Sequence, residues 1–279
     1  MKNEQIKLLI MDIDGTLVND QKQITEKTKK ALKELQKHGV KLALASGRPA
    51  KGLIKMADQL NMNEYGGILI SSNGAKAETM DGEVLFEKPI PLELAHKVLE
   101  HLKQFDVHPM VEDGDYMQIN NVFNNQVRDG DRVFNVIDYE AHGNGFLLKE
   151  SHDLAKSVIN APCKILSAGD DTYLQEHWQE MEAPFRDELD CMFTAPFYFE
   201  YTNKNTNKGT AISHLPYKKE EIAAIGDAQN DLPMLNAAGV GVAMGNAVDV
   251  TKQAADFITD DNNHDGIASW IEEYFDIHV

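Results

Sequence analysis

The chain is constrained most by the stretch Lys7-Leu8-Leu9-Ile10-Met11-Asp12-Ile13-Asp14-Gly15-Thr16-Leu17. Its short apolar run reads as a buried strand with apolar neighbours on both faces, as in a parallel sheet. The run then breaks into Asp-x-Asp-Gly-Thr, where Gly15 permits a sharp turn that residues with a Cβ resist. Two carboxylates, Asp12 and Asp14, are thereby presented at the C-terminal end of a strand. That edge is where open α/β sheets place their ligands. The spacing suits one divalent cation held jointly by a side chain and a nearby backbone carbonyl. The plainer alternative for the stretch alone is a strand followed by an acidic turn, and the rest of the chain argues against it.

At 279 residues the chain has room for one large domain or two modest ones. No segment approaches the roughly 18 to 20 unbroken apolar residues of a membrane span. The N-terminus, Met1-Lys2-Asn3-Glu4-Gln5, runs straight into the first strand, so no signal peptide is expected. Cys163 and Cys191 are too few for a disulfide framework and lack metal-site spacing. The expected location is cytoplasmic. The formal charge of −18, from 45 acidic against 27 basic residues, repels phosphate backbones, and no Lys/Arg stripe offsets it. Nucleic acid is thus an unsuitable partner, and no protein partner is inferable. A small phosphorylated substrate stays open, because a bound cation and a few placed lysines or arginines reverse the field locally.

The segments fall into a rhythm. Thr25 is placed to cap a helix with Thr28, Ala31, Leu32 and Leu35 on one face, ended by Gly39. Val40–Ala45 is a second strand, running out into Ser46-Gly47-Arg48-Pro49, and Gly67–Ser71 a third, ending in Ser72-Asn73-Gly74. Strand, helix, strand, helix, strand predicts a doubly wound, Rossmann-like parallel sheet. From about residue 84 the character changes. Pro91 opens a helix, a hairpin is predicted around Asp113-Gly114-Asp115, and further strands are placed at Lys164–Ala168 and Phe197–Tyr201 with a helix near Thr172–Met181. The sheet rhythm resumes with a helix from Asn207-Lys208-Gly209 through Leu215, a strand Glu221–Ile225 ending in Gly226-Asp227-Ala228-Gln229-Asn230-Asp231, a helix Leu232–Ala238, a strand Val240–Met244 and a closing helix Ile267–Phe275. The expectation is an α/β core over 1–84 and 203–279 with an inserted α+β cap over 85–202 that closes over it.

Parallel topology gathers Asp12/Asp14, Ser46, Lys208 and Asp227/Asp231 on one sheet edge. Several carboxylates in one crevice repel unless a cation sits among them, so a hard metal with oxygen ligands is implied, and Mg2+ fits best. Lys208 adds a mobile positive charge and Ser46 a neutral donor, which together match the needs of phosphoryl transfer. Asp12 attacking phosphorus would split a hard hydrolysis into two displacements, with Asp14 as acid and then base.

Asp12-Ile13-Asp14-Gly15-Thr16-Leu17, Ser46-Gly47-Arg48, Lys208 and Gly226-Asp227-Ala228-Gln229-Asn230-Asp231 resemble, in order, the four motifs of the haloacid-dehalogenase-like hydrolase superfamily. More narrowly, the chain is similar to the Cof-type phosphatases of the YidA-like sugar-phosphatase group. Ser71-Ser72-Asn73-Gly74-Ala75, the run Ala237–Ala247 and the ending Ala254–Ile267 carry the same likeness. The resemblance implies Asp12 as nucleophile and Mg2+ ligand, and Asp14 as acid/base holding the metal through its carbonyl. It implies Ser46 as a donor to the phosphoryl group, Lys208 bridging nucleophile and phosphate, and Asp227 completing the metal site with Asp231 in support. Gly47, Arg48, Asn73 and Asn230 would face phosphate or substrate.

Lys204 rivals Lys208, which is preferred because Gly209 and the following apolar helix suit a helix N-terminus. Asp260-Asp261-Asn262-Asn263 lacks an EF-hand's spacing and reads as a loop. Arg128, Arg132 and the aromatic residues of 116–139 either line a substrate pocket or cover the cap sheet. The implied activity is hydrolysis of small phosphorylated metabolites, sugar phosphates above all. A phosphotransferase or phosphomutase would use the same aspartyl phosphate. A phosphoaccepting signalling protein resembling a receiver domain would lack both Asp14 and the cap.

Overall fold

The computed structural model describes residues 5–123 and 125–279. The residues 1–4, on which the reading of the N-terminus largely rests, lie outside them. The chain forms two compact units, Met1–Glu87 with Asn207–Val279, and Lys88–Thr206.

In the first unit the chain begins with β1 (Leu8–Asp12), α1 (Glu26–Lys37), β2 (Lys41–Ala45), α2 (Ala50–Gln59), β3 (Ile68–Ser71), β4 (Lys76–Thr79) and β5 (Val84–Glu87). The second unit holds α3 (Leu92–Leu102), β6 (His108–Asp113), β7 (Tyr116–Ile119), β8 (Gln126–Asp129), β9 (Arg132–Asn135), α4 (Val136–Asn144) and β10 (Leu147–Glu150). It continues with α5 (Leu154–Ser157), β11 (Lys164–Ala168), α6 (Asp171–Glu182), β12 (Leu189–Ala195) and β13 (Tyr198–Asn203). The chain then returns to the first unit with α7 (Lys208–Ile212), β14 (Ile222–Gly226), α8 (Leu232–Ala237), β15 (Val240–Ala243), α9 (Asp249–Ala254), β16 (Phe257–Ile258) and α10 (Gly266–Phe275).

The first unit's sheet runs β16-β15-β14-β1-β2-β3-β4-β5. It is parallel from β16 to β3 and antiparallel beyond, where β4 and β5 extend it. Helices cover both faces, and successive residues of one strand serve opposite cores. Leu9 and Met11 of β1 pack with α1, α2 and α10, whereas Leu8 and Ile10 pack with α7 and α8. This double burial makes the central strands continuously apolar, and the doubly wound α/β architecture is the one its strand rhythm predicts. Thr25 caps α1 by accepting from the Thr28 N–H at 3.2 Å, and Thr28, Ala31, Leu32 and Leu35 are buried.

Several features differ from the sequence reading, three of them in how the first unit is bounded and built. β4 and β5 are not expected from the sequence; both are short, β4 mixes charged and small residues, and the three apolar residues Val84-Leu85-Phe86 of the partly buried β5 make too brief a run to stand out. Because β5 pairs with β4, the first unit extends to Glu87 rather than ending at 84, and it resumes at Asn207 rather than 203. The helix expected through Leu215 stops at Ile212. Among the described residues no helix is long and apolar enough to cross a membrane.

In the second unit a sheet of order β10-β7-β6-β11-β13-β12 is antiparallel except for the β10–β7 pair. The β6–β7 hairpin turns at Gly114, as its sequence predicts. One face packs Val111, Ile165, Phe199 and Tyr201 against α3, α5 and α6. The other packs Met110, Met117, Leu166 and Tyr198 against α4 and the β8–β9 ribbon. The guanidinium of Arg132 lies 4.1 Å from the centre of the Phe134 ring and 5.2 Å from that of Tyr139, so it stacks on this unit's own aromatic residues. Lys204 Nζ donates to the carbonyls of Arg186 at 2.7 Å and Leu189 at 3.2 Å. That lysine therefore serves the second unit's packing.

Candidate active site

β1 stands at the point where the sheet order reverses, with β2 on one side and β14 on the other. Loops leaving a parallel sheet at such a switch point diverge and open a crevice beyond the strand ends. Asp12 ends β1, Ser46 follows β2, and Asp227 follows β14. Residues far apart in sequence thereby come together. The carboxylates of Asp12, Asp227 and Asp231 offer ligand atoms that all lie within 4.8 Å of one another.

Lys208 enters this cluster from the first position of α7. Asn207 caps that short helix: its Oδ1 accepts from the Thr210 N–H at 3.1 Å, and the Thr210 hydroxyl accepts from the Asn207 N–H at 3.3 Å. The Lys208 ammonium, 1% exposed, donates to Asp12 Oδ1 and, at 2.6 Å, to Asp231 Oδ1. The other oxygen of Asp231 accepts the N–H groups of Asp227 and Ala228, both at 3.0 Å. Asp231 thus has both oxygens engaged and braces Lys208 and the turn that carries Asp227. Thr16 donates its hydroxyl to Asp227 Oδ1 at 2.9 Å.

Burial dominates the electrostatics. It pushes the Asp12 carboxyl up to about 7; Lys208 opposes the rise, while Asp231 and Asp227 reinforce it. Burial likewise raises Asp227, against the hydrogen bond from Thr16 and with the help of Asp231. For Lys208 burial favours the neutral form, but Asp12 and Asp231 outweigh it and the ammonium is held more strongly than usual. Three carboxylates against one ammonium leave two formal negative charges in a water-poor site. An all-oxygen donor set with that charge deficit fits a hard divalent cation such as Mg2+.

Asp14 is placed differently. Its carboxylate is outside this cluster and accepts from Lys22 at 2.8 Å and from Arg48 at 3.1 and 3.0 Å. Burial pushes Asp14 up, but the two cations outweigh it and hold the carboxyl below its ordinary value. Gly15 adopts φ +83°, and a Cβ there would lie 2.5 Å from Asp227 Oδ2. The residue must therefore be glycine for backbone and space alike.

Ser46 is buried, and its hydroxyl accepts the Arg48 N–H at 3.2 Å. The loop after β3 crosses this turn: Ser72 N–H donates to the Arg48 carbonyl at 2.9 Å and Asn73 N–H to that of Ser46 at 3.0 Å. Ser72, Asn73 and Gly74 all have positive φ, and a Cβ on Gly74 would lie 2.1 Å from the Asn207 carbonyl oxygen. The Ser46-Gly47-Arg48 turn, the Asn73 loop and the start of α7 therefore form one connected rim. Asn230 is exposed on the short turn before α8. The sequence reading missed Lys22 and the role of Thr16. Thr16 lies within the Asp-x-Asp-Gly-Thr stretch, where an acceptor-facing hydroxyl was a usable signal; Lys22 lies in a polar turn without any.

Residues 9–271 match the haloacid dehalogenase-like hydrolase family. The chain is similar to a haloacid dehalogenase-like hydrolase from Bacteroides thetaiotaomicron, whose crystal structure is 31% identical over 97% of this chain and 100% of that one, with a TM-score of 0.86. The crystal structure of TM0651 from Thermotoga maritima is 27% identical over 98% of each chain, with a TM-score of 0.81. Among sequence relatives, the 5-amino-6-(5-phospho-D-ribitylamino)uracil phosphatase YcsE of Bacillus subtilis is 28% identical over 281 residues, covering 96% of each protein. Sequence, fold and relatives agree throughout the chain, which belongs to the haloacid dehalogenase-like hydrolases as one of their phosphatases.

Proposed function

We propose that the protein hydrolyses small phosphorylated metabolites, sugar phosphates above all, with Mg2+ as cofactor and an aspartyl phosphate on Asp12 as intermediate. The observation that carries this reading is the buried Lys208 ammonium shared by Asp12 and Asp231 at the switch point of the sheet. Lys208 orients the Asp12 carboxylate, which attacks phosphorus as the ester P–O bond breaks. The departing alkoxide takes its proton from Asp14. Asp14 then removes a proton from water, the hydroxide attacks the phosphoryl group, and the Asp12–phosphorus bond breaks to release inorganic phosphate. Asp14 is poised as the base; its acid step requires the contacts with Arg48 and Lys22 to loosen, as a substrate phosphate competing for those cations would make them do. Ser46, Gly47, Arg48, Asn73 and Asn230 are assigned to the phosphate and substrate. Mg2+ held by Asp12, Asp227 and the Asp14 carbonyl, with Asp231 in support, would supply positive charge to the phosphoryl oxygens.

The substrate class rests on the motifs shared with sugar phosphatases and on YcsE, whose named substrate carries its phosphate on a ribityl chain. Phosphate release across a panel of phosphorylated metabolites, with Mg2+ and with EDTA, tests the proposal. Release should depend on Mg2+ and vanish in Asp12→Asn. Turnover retained by Asp12→Asn sinks the mechanism, and failure of the folded wild type on every substrate directs attention to phosphotransfer.

A further inference from the structure

Beyond the motifs, the turn from Gly15 to Asp20 is held by a hydrogen-bond relay from distant parts of the chain. Asn246, just after β15, donates its side-chain amide to the Gly15 carbonyl at 2.8 Å. Its own oxygen accepts the Asn262 N–H at 3.1 Å. The buried Asn262 amide then donates to the Val18 carbonyl at 3.0 Å and to Asp20 Oδ1 at 3.4 Å. The relay therefore grips the turn on both sides of Thr16. On the inner side, the Val18 N–H donates to the Ile13 carbonyl at 3.0 Å. Asp14 sits between Ile13 and Gly15 at one edge of this frame, and Lys22, whose ammonium meets Asp14, lies two residues past its other edge at Asp20.

We infer that Asn246 and Asn262 are positioning residues for the reaction, fixing the Gly15–Asp20 turn so that Asp14 keeps the setting its acid–base and metal-holding roles need. The inference rests on the phosphatase reading above. The segment 260–263 thus acts as a brace, although its sequence alone reads as a plain polar loop. A buried amide spends its protons only where matching acceptors are placed, and Val18 and Asp20 are those acceptors. Groups that orient the immediate ligands or reactants typically contribute about 10- to 100-fold in metal affinity or activity, and misplacement by about 1 Å costs on the order of 100-fold.

The test compares the full-length wild type with Asn262→Ala, Asn262→Asp, Asn246→Ala and the double alanine variant. His264→Ala, an exposed residue of the same loop whose ring pairs with Asp261, is the control. Initial rates with p-nitrophenyl phosphate give kcat and KM, calorimetric titration with Mg2+ alone gives metal affinity, and thermal melting checks the fold. Asn262→Ala should lower kcat about 10- to 100-fold with KM within about threefold, and weaken Mg2+ binding by at least about fivefold, while melting stays near wild type. Asn262→Asp should match it, because a carboxylate has no proton for Val18 and faces Asp20. The double variant should fall no further than about twofold below the worse single one, as expected of one relay. Unchanged kcat and Mg2+ affinity, a loss that tracks unfolding, or fully multiplicative losses overturn the inference. Should the wild type hydrolyse no phosphomonoester, the phosphatase reading fails, and the Mg2+ titration still judges the relay by itself.

Discussion

Replacing Lys208 with methionine probes the centre of the site. The side chain keeps its length and apolar stem, but the ammonium that Asp12 and Asp231 share is lost. Lys208 is 1% exposed and Asp231 0%, so water does not take over the screening. Removing one partner of such a buried pair typically destabilises by about 3 to 5 kcal/mol. Part of that loss is recovered by protonation. Asp12 is already pushed up to about 7 by burial, and without Lys208 it rises further. A carboxyl whose folded pKa exceeds its unfolded value, 3.8, opposes folding only where the unfolded chain has already given up the proton. The difference between variant and wild type is therefore smallest near pH 4 and grows as the pH rises through 7. Urea denaturation of the metal-free protein in EDTA at pH 5 and pH 8 measures it, with far-ultraviolet circular dichroism as the probe. Mg2+ should restore part of the stability at pH 8 by neutralising the carboxylates, without restoring phosphate release. Equal urea midpoints for variant and wild type at both pH values would refute the claim that this ammonium offsets buried negative charge.

Two further outcomes follow from the geometry. Gly15→Ala should lose about 1 to 2 kcal/mol from its left-handed backbone alone and, because the new methyl meets Asp227, nearly all activity. Gly114→Ala, also at positive φ but with nothing within 4 Å of its Cβ, should show the backbone loss only, as melting and rate measurements on both will reveal. Burial pushes the Cys191 thiol up to about 12, so at pH 8 only roughly one molecule in 10,000 carries the thiolate. A thiol-reactive disulfide reagent should label the half-buried Cys191 far more slowly than an exposed thiol in the native protein, and peptide mapping that finds it labelled as fast as a free thiol contradicts that shift.

Some of this was legible in the sequence for direct physical reasons. Strands buried on both faces must be apolar throughout, so β1, β2, β3 and β14 announce themselves. Capping chemistry is local, so Thr25 and Asn207 mark their helix starts. The strand-end positions of Asp12, Ser46 and Asp227 follow from those elements, because a parallel sheet turns every such end toward one edge, and Lys208 follows from the helix start that Asn207 marks. Short, half-exposed strands such as β4, β5, β8 and β9 carry no such pattern, since their partners rather than their own residues bury them.

What only the tertiary structure decided is which polar side chains meet. Arg48, which the motif points toward phosphate, also pairs with Asp14; Asp231 spends both oxygens on Lys208 and two backbone amides. Asn262 reads from sequence as one residue of a polar loop, and nothing in the sequence marks Lys22. A hydrogen bond depends on distance and direction between groups that, for Asn262 and Val18, stand 244 positions apart in the chain. Residue type and spacing fix what a site has to work with, whereas the pairing that sets its charges arises only when the loops are packed side by side.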